Sequence, residues 1–486
     1  MSYLLTHLGT FVCYDLRLHR LVHVAWGHIA ETTVLVEATL ERDLDGKVVG
    51  ARLDVAEPDP ILGPGGALRQ SVAAEPAGAS PTGRVVVLCA DGGYLCAEPY
   101  HAVTATRERA SVWEQFLVIE PDEVADLMVL LANRWVLHRT GAVIEPAEIR
   151  IEERFRLRFG PLMLALPDIL PLTHARRFAE PDHAEFHQAD LFVDGWKVER
   201  VSLFRPLVFY AVFGSDTLLQ QLGLSLASLA AFGGYRDNVL VFTDRDAAAI
   251  APYVPAALQG KVRVTTLLVG RPLDYKLARY QITRSRLAAT CQPLLYLDAD
   301  VLFDDAVQPM LAELARGEGL NAPLETTRIT DSQSLGAELV AADGVGTGDR
   351  CGFNAGTIGF SNITIAGGQL RLMEDALVRH AGAPGQASVW QDQPMANYVA
   401  VKTDGMGTAL LSRYVRFDHP HYLDTADLTP EGRCGLVHFW NGVNQEAKRD
   451  AMQAYLLALR GLDGRAAATP VRADPVALVS TERSLA

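Results

Sequence analysis

Three features that would each point to a class of function are missing from this 486-residue chain. It has no CxxC pair. Its six cysteines, Cys13, Cys89, Cys96, Cys291, Cys351 and Cys434, are scattered, which argues against a zinc knuckle or a dense disulfide framework and leaves them as mostly buried thiols. It has no apolar run of the roughly 18 to 20 residues that a membrane span requires. Its start, MSYLLTHLGTFVCYD, lacks the basic opening and long apolar core of an export signal, so no membrane span and a cytoplasmic location are the expectation. It also lacks basic charge: 44 Lys and Arg face 58 Asp and Glu, a formal net charge of -14. Nucleic acid is therefore not an expected partner, because backbone affinity comes from basic residues that displace counterions. An anionic substrate would need local help, such as a metal ion. What is present is ordinary globular material, 49% hydrophobic and 21% charged, long enough for two to four domains.

Residues 1–120 are built of short alternating segments separated by Gly, Pro and Asp, among them GTFVCYD, RLVHVAW, TTVLVEATL, GRVVVLC and GGYLCAEP, a pattern that predicts an all-β domain. Gly9–Asp15 aligns with Gly92–Glu98 at an offset of 83 residues. Half of that offset is a period of about 40, within the range of internal repeats. A β-trefoil fits this spacing, with a worn middle unit near KVVGARLDVAE; any small β-sandwich or barrel with an aromatic core remains an alternative. The stretch GGYLCAEPYHAVTATRERASVWEQFLVIE, ending in Trp113, Glu114 and Phe116, resembles one repeat of the fascin-like β-trefoils.

Residues 121–200 read as a helical and irregular connector. The spacing of Val124, Leu127, Met128, Leu130, Leu131, Trp135 and Leu137 predicts a helix from Pro121 to about Ile144. His174, His183 and His187 sit in a polar, loop-like run at irregular spacing and are assigned no role. From Leu203 strands alternate with helices: PLVFYAVFG, NVLVFTD and KVRVTTLL as strands, TLLQQLGLSLASLAAF and LDYKLARYQITRSRLAAT as helices. This predicts a doubly wound, mainly parallel α/β sheet over 201–465, followed by a loose tail at 466–486.

The next strand, in LLYLDADVLFDD, ends in Asp298 and Asp300. Ligands of open α/β sheets bind beyond the carboxyl ends of the strands, so the acids stand where chemistry is expected. Two chemistries place Asp-x-Asp there. A haloacid-dehalogenase-like phosphatase would use Asp298 as a nucleophile, but that family puts this strand first in its domain, and here three strands precede it. The other chemistry uses the pair to hold a divalent cation on a nucleoside-diphosphate sugar. PLLYLDADVLF, CGFNAGTIGF, WQDQPMANYV and GLVHFWNG occur in the order seen in the glycogenin-like and galactosyltransferase-like retaining enzymes, and over residues 205–455 the chain resembles that family of GT-A-fold glycosyltransferases.

The resemblance implies a role for each motif. Asp298, Asp300 and His438 correspond to metal ligands, two hard oxygens and an imidazole suited to Mn²⁺, or else Mg²⁺. Arg279, or Lys276 one helical turn earlier, corresponds to the basic residue that contacts the sugar or diphosphate and pairs with the first acid. Tyr210, Ala211 and Asp244 stand where relatives hold the base and ribose. Asn354, Ala355 and Gly356 correspond to the lining of the sugar pocket. Asp392 and Gln393 correspond to the pair on the reacting face, with Asp392 orienting and stabilising positive charge. Trp440 is a candidate for stacking on an acceptor sugar. The family's His-x-x-Gly-x-x-Lys pattern is altered to HFWNGVNQEAK, with Gly442 and Lys448 displaced, which puts the diphosphate clamp in doubt. The expected activity is thus metal-dependent transfer from a nucleoside-diphosphate sugar, UDP-hexose first, to an unidentified acceptor, with retention. The competing expectations are the phosphatase and a non-catalytic sugar-binding protein. A nucleotidylyltransferase is disfavoured because VFYAVFGSDTLLQQ lacks the Gly-rich, basic signature.

Overall fold

The computed structural model describes residues 2–6, 10–24, 32–45, 47–55, 69–76, 85–111, 114–119, 133–145, 155–159, 162–165, 188–193, 196–381, 392–417, 428–429, 432–440 and 444–463. The chain divides into two compact units, the first mainly Met1–Thr140 with Ile144–Ser202, the second mainly Leu203–Asp474.

The first unit opens with ten strands: β1 (Ser2–Thr6), β2 (Phe11–Asp15), β3 (Arg20–Val24), β4 (Thr33–Arg42), β5 (Val48–Val55), β6 (Arg69–Pro76), β7 (Val85–Ala90), β8 (Gly93–Ala97), β9 (Val103–Arg107) and β10 (Gln115–Ile119). Six of them close a ring of antiparallel pairs in the order β1, β4, β5, β6, β7, β10 and back to β1. Closure satisfies both edges of every ring strand, which an open sheet cannot do. The core follows the period of two: Val36 and Ala38, Ala51 and Leu53, Val72 and Ala74, Val86 and Leu88, Phe116 and Val118 all turn inward. β2–β3 and β8–β9 are hairpins, and the two sequence segments offset by 83 residues supply the first strand of each. His23 ties the hairpins together. Its Nε2 donates to the Glu98 carbonyl (2.6 Å), which leaves Nδ1 to accept from the Thr10 hydroxyl (2.8 Å). Trp113, and residues 56–68 after the middle-unit strand, lie outside the described residues.

The rest of the first unit differs from the expected connector. Arg134–Leu137 and Val143–Ile144 are strands, in a six-stranded sheet with Trp196–Phe204, Gln188–Val193, Phe155–Phe159 and Leu162–Ala165. The helix read through Trp135 and Leu137 is therefore wrong there; residues 121–132, like His174, His183 and His187, lie outside the described residues. Trp135, Val136 and Leu137 are consecutive and fully buried. A short apolar run buried on both faces carries no periodicity that tells strand from helix.

In the same sheet Asp190 accepts from Lys197 Nζ (2.7 Å) and Arg200 Nε (2.9 Å). Burial pushes its pKa up, but Arg200 and Lys197 outweigh burial and bring it down to about 2. A lowered folded-state pKa stabilises above the unfolded value and loses that stabilisation as pH falls through the folded one. Asp190→Asn should cost about 1 kcal/mol at neutral pH, trimmed by the exposure of both cations, with the difference from wild type vanishing near pH 2. Denaturant titrations at pH 7 and at acid pH check this.

The second unit is built on parallel strands. β11 (Leu207–Val212) pairs with β12 (Asn238–Thr243) on one side and β14 (Leu294–Leu297) on the other, and β13 (Val262–Thr266) extends the far edge. α1 (Asp216–Ala231) follows β11, its N-terminus capped by Ser215. After β14 the chain forms β15 (Val301–Phe303). β16 (Thr357–Phe360) then pairs antiparallel with β14, so the sheet is mainly parallel with one reversed strand, and Leu320–Asn321 and Met406–Gly407 complete it. α2 (Asp392–Thr403), β17 (Leu436–His438) and α3 (Gln445–Asp463) end the unit. The helix expected over LDYKLARYQITRSRLAAT is broken into Pro272–Leu277, a 3₁₀ stretch Ala278–Arg284 and Arg286–Ala289. Ser285 is extended and caps the last piece, so the helix restarts there.

Candidate active site

β14 is buried along its whole length, and its carboxyl end delivers Asp298 and Asp300. The chain then turns into β15, which pairs antiparallel with β17 and sets Val301 opposite His438. That register brings an imidazole 138 positions downstream to the acid pair. The Phe439 N–H donates to the Asp300 carbonyl (2.9 Å) and locks the junction. Asp304, from the same acidic run, has a structural role: it is fully buried and accepts from the Gly435 N–H (2.8 Å) and from the Tyr455 hydroxyl of α3 (2.9 Å).

One ligand atom from each of Asp298, Asp300 and His438 lies within 4.8 Å of the others. His438 Nε2 stands 3.2 Å from Asp300 Oδ1, yet that oxygen, like His438 Nδ1, is buried without a hydrogen-bond partner. A buried carboxylate oxygen without a hydrogen-bond partner, facing an imidazole, is costly unless something positive meets it. Two carboxylates and an imidazole are a donor set that suits Mn²⁺ and accommodates Mg²⁺, so the residues fit a divalent cation. Asp298 keeps 36% of its side chain open to solvent and Asp300 12%, so the cluster is approached from the Asp298 side.

Each acid is braced by a cation. Lys448, in the first turn of α3, donates to Asp300 Oδ2 (2.7 Å). Arg279 donates from Nη2 to Asp392 Oδ2 (2.9 Å) and more distantly to Asp298 Oδ1 (3.5 Å), and from Nη1 to the Ala355 carbonyl (2.7 Å). Its guanidinium lies over the Tyr296 ring, 4.4 Å from the centroid, while the Tyr296 hydroxyl donates to Asp298 Oδ1 (2.5 Å). Burial, opposed by Arg279 and reinforced by Asp300, pushes the Asp298 pKa up. For Asp300 burial also acts upward, but His438 and Lys448 outweigh it and hold the carboxyl ionised. Burial lowers the Lys276 pKa against the pull of Asp392.

The segment Asn354-Ala355-Gly356, the NAG segment, faces the same cluster. The Gly356 carbonyl accepts from the Asp298 N–H (2.8 Å). A Cβ at Gly356 would lie 2.5 Å from His438 Cε1 and 2.7 Å from Asp298 Oδ2, so glycine is required there by Asp298 and the imidazole themselves. Asn354 accepts from the Gly356 N–H (2.9 Å), and Gln393 accepts from the Ala355 N–H (3.1 Å). Asp392 and Gln393 open α2 beside Arg279.

Asp298, Asp300, His438, Arg279, Asn354, Ala355, Gly356, Asp392, Gln393 and Lys448 therefore form one connected network; Lys276 lies on the helix Pro272–Leu277 that leads into Arg279. Tyr210 does not join it. Its side chain is fully buried and its hydroxyl meets Ser225 of α1 (3.0 Å), so it cannot reach a ligand. Ala211 points to the other face of β11 and packs on the core of the sheet. Asp244, at the end of β12, accepts from the Gly214 N–H (3.3 Å), and 27% of its side chain is exposed. Trp440, 48% exposed, immediately follows Phe439; Gly442 lies outside the described residues. Two participants were missed. Tyr296 precedes Asp298 by two residues and shares its face of the strand, a signal open to the period-two rule. Glu325, which accepts from Asn354 Nδ2 (3.1 Å) and Gln393 Nε2 (3.3 Å), had no sequence signal.

No helix among the described residues is long and apolar enough to cross a membrane. No protein-family model matches the sequence, and no curated protein matches it either. Among solved structures, the galactosyltransferase LgtC in complex with donor and acceptor sugar analogues is similar at 15% identity over 53% of this chain and 95% of its own, with a TM-score of 0.35. An active-site mutant of LgtC matches at the same identity and coverage with a TM-score of 0.37. The apo bifunctional glycosyltransferase WbbM matches at 12% identity over 54% of this chain and 51% of its own, also at 0.37.

Proposed function

We propose that the second unit is a metal-dependent glycosyltransferase of the GT-A type, moving a hexose from a UDP-sugar to an acceptor with retention of configuration. The observation that carries this reading is the Asp298–Asp300–His438 cluster at the carboxyl end of a parallel strand, joined through Arg279 to Asp392. When bound, a divalent cation supplies Lewis-acid stabilisation of the departing diphosphate. The chain's own groups do the remaining work. Lys448 holds Asp300, Tyr296 and Arg279 hold Asp298, and the Gly356 backbone closes on Asp298 and His438. Arg279 and Lys276 supply positive charge for an anionic donor in a protein of net charge -14. Asp392 has one oxygen committed to Arg279, which suits a group that orients the sugar and stabilises developing positive charge.

The first unit is read as a β-trefoil over its initial 120 residues. Supporting this are the closed six-stranded ring, the two hairpins built on segments that align in sequence, and the bridge between them at Val22 and Ala102.

A mass-spectrometric screen of nucleoside-diphosphate sugars with and without Mn²⁺ tests the activity. Hydrolysis of, or transfer from, a UDP-hexose should appear with Mn²⁺ and stop in EDTA. Equal turnover in EDTA would sink the metal role, and an aspartyl-phosphate trapped on Asp298 would replace this reading with a phosphatase.

A further inference from the structure

Glu325 lies on the strand Leu324–Arg328, which pairs antiparallel with Cys351–Phe353 just before the NAG segment. A carboxylate only accepts hydrogen bonds, whereas an Asn or Gln amide presents a donor and an acceptor that exchange on a 180° flip. By taking Asn354 Nδ2 and Gln393 Nε2 on its Oε1, Glu325 turns both amide nitrogens toward itself. Both amide oxygens are thereby directed to the backbone: Asn354 Oδ1 to the Gly356 N–H and Gln393 Oε1 to the Ala355 N–H. The carbonyls of the same two residues meet Arg279 and the Asp298 N–H. One carboxylate thus sets the orientation of two side chains that converge on the backbone bracing the metal-side acids. Neither chemistry considered for the acid pair assigns it a role.

We propose that Glu325 is the positioning residue for the sugar half of the donor site: by fixing the Asn354 and Gln393 amides it sets the hydrogen-bonding face that the hexose meets. This rests on the glycosyltransferase reading. Glu325 bonds the Asn354 and Gln393 amides and reaches the acids through the backbone of Ala355 and Gly356, so its loss falls mainly on sugar recognition and far less on the nucleotide and the cation.

The test is calorimetric titration of UDP, UDP-glucose and UDP-galactose, each with Mn²⁺, into wild type and Glu325→Ala, Glu325→Asp and Glu325→Gln. Wild type should bind its hexose donor more tightly than UDP. Glu325→Ala should bind UDP within about twofold of wild type while its UDP-hexose affinity falls about tenfold, the scale of one lost hydrogen-bonding arrangement. Glu325→Asp, which withdraws the carboxylate by one methylene from a partly exposed position, should show the same sugar-selective loss and covers the case in which the alanine variant fails to fold. Glu325→Gln keeps an acceptor and should recover most of the affinity. Wild-type UDP-hexose binding in whichever of the Ala and Asp variants folds would overturn the proposal, as would a loss that falls equally on UDP. Wild type that binds neither UDP nor UDP-hexose would overturn the glycosyltransferase reading itself.

Discussion

Asp300→Asn should reduce donor turnover by about a thousandfold, equivalent to about 4 kcal/mol of transition-state stabilisation. The loss has two sources. Asp300 Oδ1 is the buried oxygen without a hydrogen-bond partner that faces His438, and an amide there offers a cation a neutral and weaker ligand. Oδ2 is the partner of Lys448, which is itself buried, so the substitution also leaves an ammonium without its counter-charge. That second effect acts on stability, at about 3 kcal/mol or more for breaking a buried pair from one side. Asp300→Asn combined with Lys448→Met separates the two. The double variant should regain much of the lost thermal stability and none of the turnover. If Asp300→Asn alone retains wild-type turnover at saturating Mn²⁺, the acid is not a ligand.

Gly356→Ala is expected to be nearly as damaging, although it adds a single methyl. The new Cβ would lie 2.5 Å from His438 Cε1, 2.7 Å from Asp298 Oδ2 and 3.0 Å from Asn354 Oδ1, so it drives two proposed ligands apart. Overpacking of this kind costs about 1 to 3 kcal/mol of stability, and misplacing ligands by about 1 Å costs about a hundredfold in rate. Gly346→Ala is the control, because nothing lies within 4 Å of the Cβ it would add. Steady-state kinetics and thermal melts of the two variants should show loss in the first and wild-type behaviour in the second.

How much of this was legible in the sequence follows from what each signal encodes. The apolar run ending in Asp298 and Asp300 names a buried strand and its carboxyl end without ambiguity, since both the run and the charges are local. His438 was reachable from the order of motifs, but its placement depends on the antiparallel register of β15 and β17, a long-range pairing that no window of sequence contains. Tyr210 was misplaced because β11 is buried on both faces. A uniformly apolar strand does not say which side chains face the ligand and which face α1. Trp135 and Leu137 failed for the same reason, an apolar run too short to carry a period. Glu325 was invisible because its function comes from partners 29 and 68 residues away, on separate elements. The break of the helix at Ser285 follows from a serine that serves better as a cap than as a helix interior, a local preference that the apolar spacing masks.

Anomalous diffraction from crystals of the protein grown with Mn²⁺ and UDP puts the metal site to its most direct test. The expected result is one strong manganese peak within coordination distance of Asp298, Asp300 and His438 together, lost in crystals of His438→Ala. A well-ordered nucleotide with no peak among those three side chains, or a manganese ion bound elsewhere in the unit, would contradict it.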